Sequence, residues 1–179
     1  MNEMELKILD WIQGHLSCGL LDTVMPAVTH LGDGGMLWIG LAAVLTAFPK
    51  TRKVGLAVAA GLVLEVVCCN GILKPLVARV RPCELQPAVE LLVPRPTDFS
   101  FPSGHTGASF AAASALCFSR SRLWIPAAAL AALIGFSRLY LYVHYPTDVL
   151  AGMLIGILLG WAGSAVSTGI WERRGARPC

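Results

Sequence analysis

Charged residues are scarce in this chain. Asp, Glu, Lys and Arg make up 14% of its 179 residues, whereas 55% of the residues are hydrophobic. A soluble globular domain carries about 25% charged residues, so the composition argues against a soluble fold. It predicts an integral membrane protein with one domain. The net charge of +3 is too small to indicate a nucleic-acid partner.

Metal-ligand patterns are also missing from the sequence. The six cysteines form no CxxC pair and no Cys/His set, and we interpret them as small packing residues of apolar helices. Two-metal hydrolytic sites need clustered carboxylates and histidines, and no such spacing occurs here. The sequence therefore predicts no metal and no other cofactor. The first ten residues are acidic and lack an apolar core, which argues against a cleavable signal peptide.

Long apolar runs are abundant, and they predict an all-α integral membrane protein. A helix that crosses the hydrocarbon layer needs about 20 apolar residues, and the segments 54–73, 123–143 and 149–170 meet this requirement. The shorter apolar runs 35–48 and 106–118 bring the count to five. We therefore expect a bundle of five or six transmembrane helices.

The N-terminal part of the chain is less apolar than the rest. One helical face collects the apolar residues Ile8, Leu9, Ile12 and Leu16. This pattern predicts an N-terminal interfacial helix that lies on the membrane rather than across it. The next stretch, 20–31, is either a half-buried helix or a weak sixth span, because Asp22 and His30 are costly inside a bilayer.

Lysine and arginine are distributed unevenly between the two sides that five spans define. Eight of the fourteen fall on one side, in two loops and the C-terminal tail: Lys50, Arg52, Lys53, Arg120, Arg122, Arg173, Arg174 and Arg177. Only three fall on the other side once the cations of the motifs below are set aside, so the positive-inside bias places the Arg-rich side in the cytoplasm. The single domain, 1–179, then comprises interfacial or half-buried helices (1–31), a helical core (32–172) and a basic cytoplasmic tail (173–179).

Three polar segments interrupt the apolar background. They are residues 74–82 (KPLVARVRP), 102–105 (PSGH) and 137–148 (SRLYLYVHYPTD). With five spans, all three segments reach the same outward-facing side of the membrane. Such a convergence of cations, imidazoles and a carboxylate predicts a site for phosphate-ester hydrolysis.

The cations of these segments suit a phosphoryl group. Arginine binds phosphate oxygens in pairs and lysine adds a compact positive charge, so we assign Lys74, Arg81 and Arg138 to phosphate binding. Ser103 can donate its hydroxyl to the same group, and Gly104 lets the backbone approach closely. A helix that starts at this glycine would also direct free backbone amides at the anion.

The imidazoles supply the remaining chemistry. His144 precedes a proline that fits the first turn of a helix, which places Asp148 close enough to hold one ring nitrogen and aim the other at phosphorus. Attack would form a phosphohistidine that water later hydrolyses. His105 can protonate the leaving oxygen and then activate that water.

At these residues the sequence resembles the type-2 phosphatidic acid phosphatase superfamily, the lipid phosphatases related to vanadium haloperoxidases. The pattern KxxxxxxRP, PSGH and SRxxxxxHxxxD is complete here and in order. The resemblance implies a metal-independent helical phosphatase with the roles given above. The likeness to small bacterial members implies undecaprenyl pyrophosphate as the substrate, at the outer face of the cytoplasmic membrane. Phosphatidylglycerophosphate, phosphatidate and transfer of the phosphoryl group to another lipid remain alternatives.

Several other polar residues have no place in the motifs. Glu65 lies in the middle of a predicted span, where we expect a structural role. Arg79 and Arg95 could help to gather an anionic headgroup. A non-enzymatic phosphate-binding module would need only the cations, and the intact histidines argue against it. The expected partners are the lipid substrate and the bilayer, with no nucleic acid, and the sequence predicts no oligomeric state.

Overall fold

Residues 2–175 are described by a computed structural model, and every regular element in that range is a helix. In chain order they are α1 (Asn2–Leu16), α2 (Gly19–His30), α3 (Met36–Ala47), α4 (Arg52–Glu65), α5 (Lys74–Val77), α6 (Pro82–Leu85), α7 (Gly104–Phe118), α8 (Trp124–Tyr140) and α9 (Pro146–Gly175). A 3-10 turn, Asp33–Gly35, precedes α3, and a π-helix, Val66–Leu73, joins α4 to α5. The all-α prediction is confirmed. Residues 176–179 of the predicted tail lie outside the described range.

Two helical stretches within residues 2–175 are long and apolar enough to cross a membrane, namely Arg52–Leu85 and Pro146–Glu172. The pair Gly19–His30 and Asp33–Ala47, bent by 43° at its break, would make a third. Helix α8 is apolar but has only 17 residues. The sequence thus located the long apolar helices correctly, and the total of five or six spans stays a prediction.

Helix α7 lies in the middle of the bundle, where small residues allow close packing against α9 and α4. A Cβ atom added to Gly160 of α9 would lie 2.3 Å from the backbone oxygen of Ala111 in α7. A Cβ on Gly163 would lie 2.5 Å from the backbone nitrogen of Gly61 in α4. Helices in membranes associate through such small residues because they let backbones approach. A Cβ on Gly152 of α9 would lie 2.6 Å from the backbone oxygen of Ser103, so the close packing also holds the N-terminal end of α7 in place.

Three buried tyrosines fill the end of the bundle where α8 meets α9. Tyr140, Tyr142 and Tyr145 are all fully buried. The hydroxyl of Tyr140 donates to Asp22 of α2 at 2.6 Å, and that of Tyr142 donates to Asp10 of α1 at 2.7 Å. These bonds satisfy polar groups that would otherwise be costly to bury, and they tie the turn between α8 and α9 to the N-terminal helices.

Helix α1 packs over this tyrosine cluster. Leu9 and Ile12 of its predicted apolar face are buried against the cluster, whereas Ile8 of the same face is 42% exposed and Trp11 is 55% exposed. The apolar face is therefore divided between the protein interior and the outside. The position of α1 at a membrane interface stays a prediction.

Candidate active site

The three motif segments meet around one cavity of about 530 Å³. It lies where α7 and α9 begin and α8 ends. Six of the eight predicted site residues line it: Lys74, Arg81, Gly104, His105, Arg138 and His144. The other two, Ser103 and Asp148, are fully buried next to lining residues. The fold therefore gathers residues that are up to 74 positions apart in the sequence.

His144 occupies the turn between α8 and α9 and is almost completely buried. Its Nε2 atom lies 3.1 Å from Nη1 of Arg81, and its Nδ1 atom lies 3.5 Å from Oδ2 of Asp148. Burial lowers the pKa of His144 to about 3, because the bond to Asp148 only partly offsets burial and Arg81 disfavours a second positive charge. The imidazole is thus neutral at pH 7, and the Nε2 lone pair that faces Arg81 is available as a nucleophile.

Asp148 lies in the first turn of α9, as the sequence predicted. Hydrogen bonds from three neighbouring residues hold its carboxylate. Oδ2 accepts a hydrogen bond from the hydroxyl of Ser100 at 2.5 Å and another from the backbone N–H of Tyr145 at 2.9 Å. Oδ1 accepts one from Nη1 of Arg79 at 2.5 Å. A carboxylate held from three sides can orient His144 with little loss of freedom when substrate binds.

Arg79 links this carboxylate to the N-terminal helix. Its guanidinium lies 3.9 Å from the centre of the Tyr145 ring and also pairs with the buried Glu5 of α1. The Glu5 carboxylate accepts two further bonds from Thr147, at 3.1 Å from the backbone N–H and 2.6 Å from the hydroxyl. This role of Glu5 was not predicted, because an acidic residue in an amphipathic helix normally faces water.

Arg81 and Lys74 share one acidic partner, Asp98, in the loop before the PSGH segment. Arg81 donates to the Asp98 carboxylate at 2.7 Å and to the backbone oxygen of Val143 at 2.7 Å. Lys74 pairs with the other carboxylate oxygen. Partial burial alone would raise the pKa of Asp98, but the bond from Lys74 and the charge of Arg81 outweigh it and hold that pKa well below its usual value. The Asp98 carboxylate therefore pairs with two cations that we assign to phosphate binding.

Arg138 approaches the cavity from the end of α8. Its Nη1 atom donates to the hydroxyl of Thr29 in α2 at 2.5 Å, but its buried Nε has no hydrogen-bond partner. An unpaired N–H of a buried guanidinium is costly. An anion in the cavity would be a suitable acceptor for it.

The start of α7 agrees with the prediction in position but differs for one side chain. Ser103 precedes the first residue of the helix, and its hydroxyl pairs with that of Thr106 at 2.9 Å instead of lining the cavity. A Cβ atom on Gly104 would lie 3.3 Å from Oδ1 of Asn70, so glycine allows a close approach here. The first backbone amides of α7 lie beside the cavity.

His105 lies in the first turn of α7 and lines the cavity with 23% of its side chain exposed. Its Nε2 atom is 2.9 Å from Oδ1 of Asp33, which belongs to the 3-10 turn before α3. Asp33 was not predicted as a site residue, because it lies 72 positions from His105 in the sequence and meets it only in the folded chain.

A π-helix brings Glu65 and Lys74 to the same cavity. They are nine residues apart, which is about two and a half turns of α-helix and would place them on opposite faces. The intervening π-helix has i→i+5 hydrogen bonds and wider turns, so nine residues complete about two turns. Glu65 is 1% exposed, and its Oε1 atom has no hydrogen-bond partner.

The chemical character of the cavity is that of an anion site. It is lined by four cations, Lys74, Arg81, Arg95 and Arg138, together with a helix start and a neutral imidazole. Among residues 2–175 no three His, Cys, Asp or Glu side chains gather as a metal-ligand cluster would. Such an arrangement stabilises negative charge on a group that an imidazole attacks.

Comparison with known proteins agrees with this geometry. Residues 51–172 match the PAP2 superfamily. The chain belongs to this family. The predicted resemblance is thereby confirmed, and the matched range contains all three motifs of this PAP2 protein.

The alignments with individual PAP2 relatives cover different shares of each relative's length. The chain is 38% identical to an undecaprenyl-diphosphatase of Sulfolobus acidocaldarius over 67% of this chain and 58% of the relative, so it spans less than two thirds of that protein. It is 30% identical to the undecaprenyl-diphosphatase BcrC of Bacillus subtilis over 90% of this chain and 81% of the relative. The solved structure of a transmembrane PAP2-type phosphatidylglycerolphosphate phosphatase from Bacillus subtilis superposes with a TM-score of 0.74 at 28% identity, covering 96% of this chain and 86% of that one.

Proposed function

We propose that this PAP2 protein is a metal-independent lipid phosphatase that acts through a phosphohistidine on His144. The observation that carries the proposal is the 3.1 Å contact between Nε2 of His144 and Arg81 in a cavity lined by three further cations, Lys74, Arg95 and Arg138. A phosphoryl group bound there would meet the nucleophilic nitrogen while the cations neutralise its oxygens.

The reaction has two balanced steps in this proposal. Nε2 of His144 attacks phosphorus, the bond to the leaving oxygen breaks, and that oxygen keeps the electron pair and takes a proton from His105. Water then gives a proton to His105 and attacks phosphorus, which releases phosphate and restores His144. Lys74, Arg81 and Arg138 hold the equatorial oxygens throughout.

An apolar groove next to the cavity supports a lipid substrate. The groove has a volume of about 780 Å³ and lies between α3 and α4. It shares Ile39, Leu62 and Val66 with the lining of the cavity. A lipid whose phosphate lies in the cavity could therefore place its hydrocarbon chain in the groove.

Undecaprenyl pyrophosphate is the substrate that we favour. Two relatives carry the name undecaprenyl-diphosphatase, and one of them aligns with 90% of this chain. The excess of Lys and Arg on the opposite side supports a site that faces the outside of the bacterial cytoplasmic membrane. Phosphatidylglycerophosphate, named for the solved relative, and phosphatidate are the alternatives.

The test is phosphate release by the purified protein in detergent with EDTA present. We would compare the three lipids and include His144→Ala. We expect release that survives EDTA and disappears in the variant, with undecaprenyl pyrophosphate as the fastest substrate. Release that requires a divalent ion, or that persists in His144→Ala, would contradict the mechanism. Loss of lipid phosphate only when an acceptor lipid is added would identify a phosphotransferase instead.

The groove is tested separately with Ala43→Trp, which fills it, and Val44→Trp, which places the same side chain on an exposed position of α3 outside the groove. We expect the first variant to raise KM for the long-chain lipid and to leave the KM for p-nitrophenyl phosphate unchanged. Equal KM values of the two variants for the lipid would show that the groove does not bind the substrate.

A further inference from the structure

A second carboxylate–imidazole pair lies in the cavity besides that of His144. Asp33 accepts a hydrogen bond from Nε2 of His105 at 2.9 Å. Its other oxygen, Oδ2, lies 2.7 Å from Nδ1 of His30 in α2. All three side chains line the cavity. We propose that Asp33 is the positioning residue of His105, which holds that imidazole ready to protonate the leaving oxygen; this rests on the lipid phosphatase function proposed above.

The backbone around Asp33 is shaped to hold this contact. Gly34 and Gly35 both have positive φ, at 56° and 68°, so the chain turns sharply between α2 and α3. A Cβ atom on Gly32 would lie 2.9 Å from Cδ2 of His105. The glycine segment thus lies directly on the imidazole ring, and Asp33 meets the ring at its Nε2 edge.

The contact decides which nitrogen of His105 faces the substrate. A carboxylate oxygen only accepts hydrogen bonds, so Nε2 of His105 carries the hydrogen. Nδ1 is then the ring nitrogen left for the leaving oxygen. When the ring is protonated, Nδ1–H donates its proton to that oxygen as the P–O bond breaks and the oxygen keeps the electron pair. The neutral ring afterwards takes a proton at Nδ1 from the attacking water, while Nε2–H stays with Asp33.

The negative charge of Asp33 fits its role as the positioning residue of His105. Burial and the charges of Arg138 and Lys74, which line the same cavity, oppose protonation of His105, and a carboxylate next to the ring partly offsets them. The same carboxylate repels a phosphate group. Removing a residue that opposes substrate binding but favours the protonated imidazole should lower kcat without raising KM.

The leaving group provides the sharpest test. A lipid alkoxide needs a proton as it departs, whereas p-nitrophenolate does not. We would measure first-turnover rates of Asp33→Asn with phosphatidate and with p-nitrophenyl phosphate, in the full-length protein in detergent. We expect the rate to fall about 100-fold with phosphatidate, the scale of general acid catalysis, and to stay within about twofold with p-nitrophenyl phosphate, with no rise in KM for either.

Three controls separate positioning from damage to the fold. Asp22→Asn changes another aspartate of the same region, bonded to Tyr140 and outside the cavity, and should behave like the wild type. Asp33→Glu should recover part of the phosphatidate rate. His105→Ala and the double variant His105→Ala/Asp33→Asn should have equal rates, since Asp33 acts only through the imidazole.

Two results would overturn the proposal for Asp33. One is a wild-type phosphatidate rate in Asp33→Asn; the other is an equal loss on both substrates, which would indicate a structural role. A wild-type protein that releases phosphate neither from these two substrates nor from undecaprenyl pyrophosphate would instead contradict the lipid phosphatase function itself.

Discussion

Among single residues, Asp98 shows how the repulsion between the cations of the cavity is reduced before substrate binds. Lys74, Arg81 and Arg138 would repel one another around an empty phosphate site, and Asp98 bridges two of them. Because its pKa is held low, the carboxylate stays charged throughout the neutral pH range. A phosphate group must displace this carboxylate before it can bind both cations.

Replacing Asp98 by asparagine should therefore strengthen phosphate binding. The neutral amide competes less well for Lys74 and Arg81, so we expect the inhibition constant of inorganic phosphate to fall about tenfold, equivalent to ~1.4 kcal/mol. The measurement is inhibition of p-nitrophenyl phosphate hydrolysis. Glu90→Gln, an exposed change in the same loop, is the control. Weaker inhibition in Asp98→Asn would mean that Asp98 orients the cations for phosphate.

Glu5 provides a prediction at a greater distance from the substrate. Glu5→Gln removes the charge that holds Arg79 and Thr147, and Arg79 in turn holds Asp148. We expect kcat to fall about tenfold, the scale of one lost charge-assisted hydrogen bond, with KM unchanged because no phosphate ligand moves. Glu3→Gln, exposed on the same helix, should leave kcat at the wild-type value. A rise in KM without a change in kcat would contradict this link.

At the scale of helices, the glycines of α9 control the packing against α7. Gly160→Ala would place a methyl group 2.3 Å from a backbone oxygen of α7, where no flexible side chain can yield. We expect overpacking to cost about 1–3 kcal/mol and to lower Tm in detergent. Gly169→Ala in the same helix meets nothing within 4 Å and should keep or slightly raise Tm. Equal Tm values for the two variants would contradict the packing.

The helices differ in how far the sequence predicts them. The starts of α7 at Gly104 and of α9 at Pro146 follow from local signals, a serine cap position and a proline in the first turn. The π-helix, Val66–Leu73, has no such signal, because its residues are apolar whichever way the helix is wound. The shared orientation of Glu65 and Lys74 could therefore be recognised only in three dimensions.

At the scale of the whole molecule, the orientation in the membrane decides which side the cavity faces. The Lys and Arg distribution predicts that the 86–103 loop is outside the cell and that the loop after α3 is cytoplasmic. In a cysteine-free background, Glu90→Cys should react with a membrane-impermeant maleimide in intact cells, whereas Lys50→Cys should react only after lysis. The opposite labelling pattern would place the site in the cytoplasm.

Across the whole molecule, the sequence predicted the family and the group of residues that line the cavity. This was possible because the three motifs combine residue types that have one common use, binding and attacking phosphate. The supporting residues Glu5, Ser100 and Asp33 escaped prediction, since each lies alone in the sequence and acquires its partner only when distant segments meet. The sequence also contains no signal for the identity of the substrate lipid, because an apolar groove forms from ordinary alanine and valine side chains.

The most direct measurement is the capture of a phosphorylated enzyme. Labelled p-nitrophenyl phosphate would be mixed with His105→Ala, in which water activation is impaired, quenched in base and digested into peptides. The phosphohistidine mechanism predicts an acid-labile, base-stable label on the peptide that contains His144, and no label in His144→Ala/His105→Ala. A label on another residue, or hydrolysis with no labelled protein at any time, would contradict the phosphohistidine mechanism.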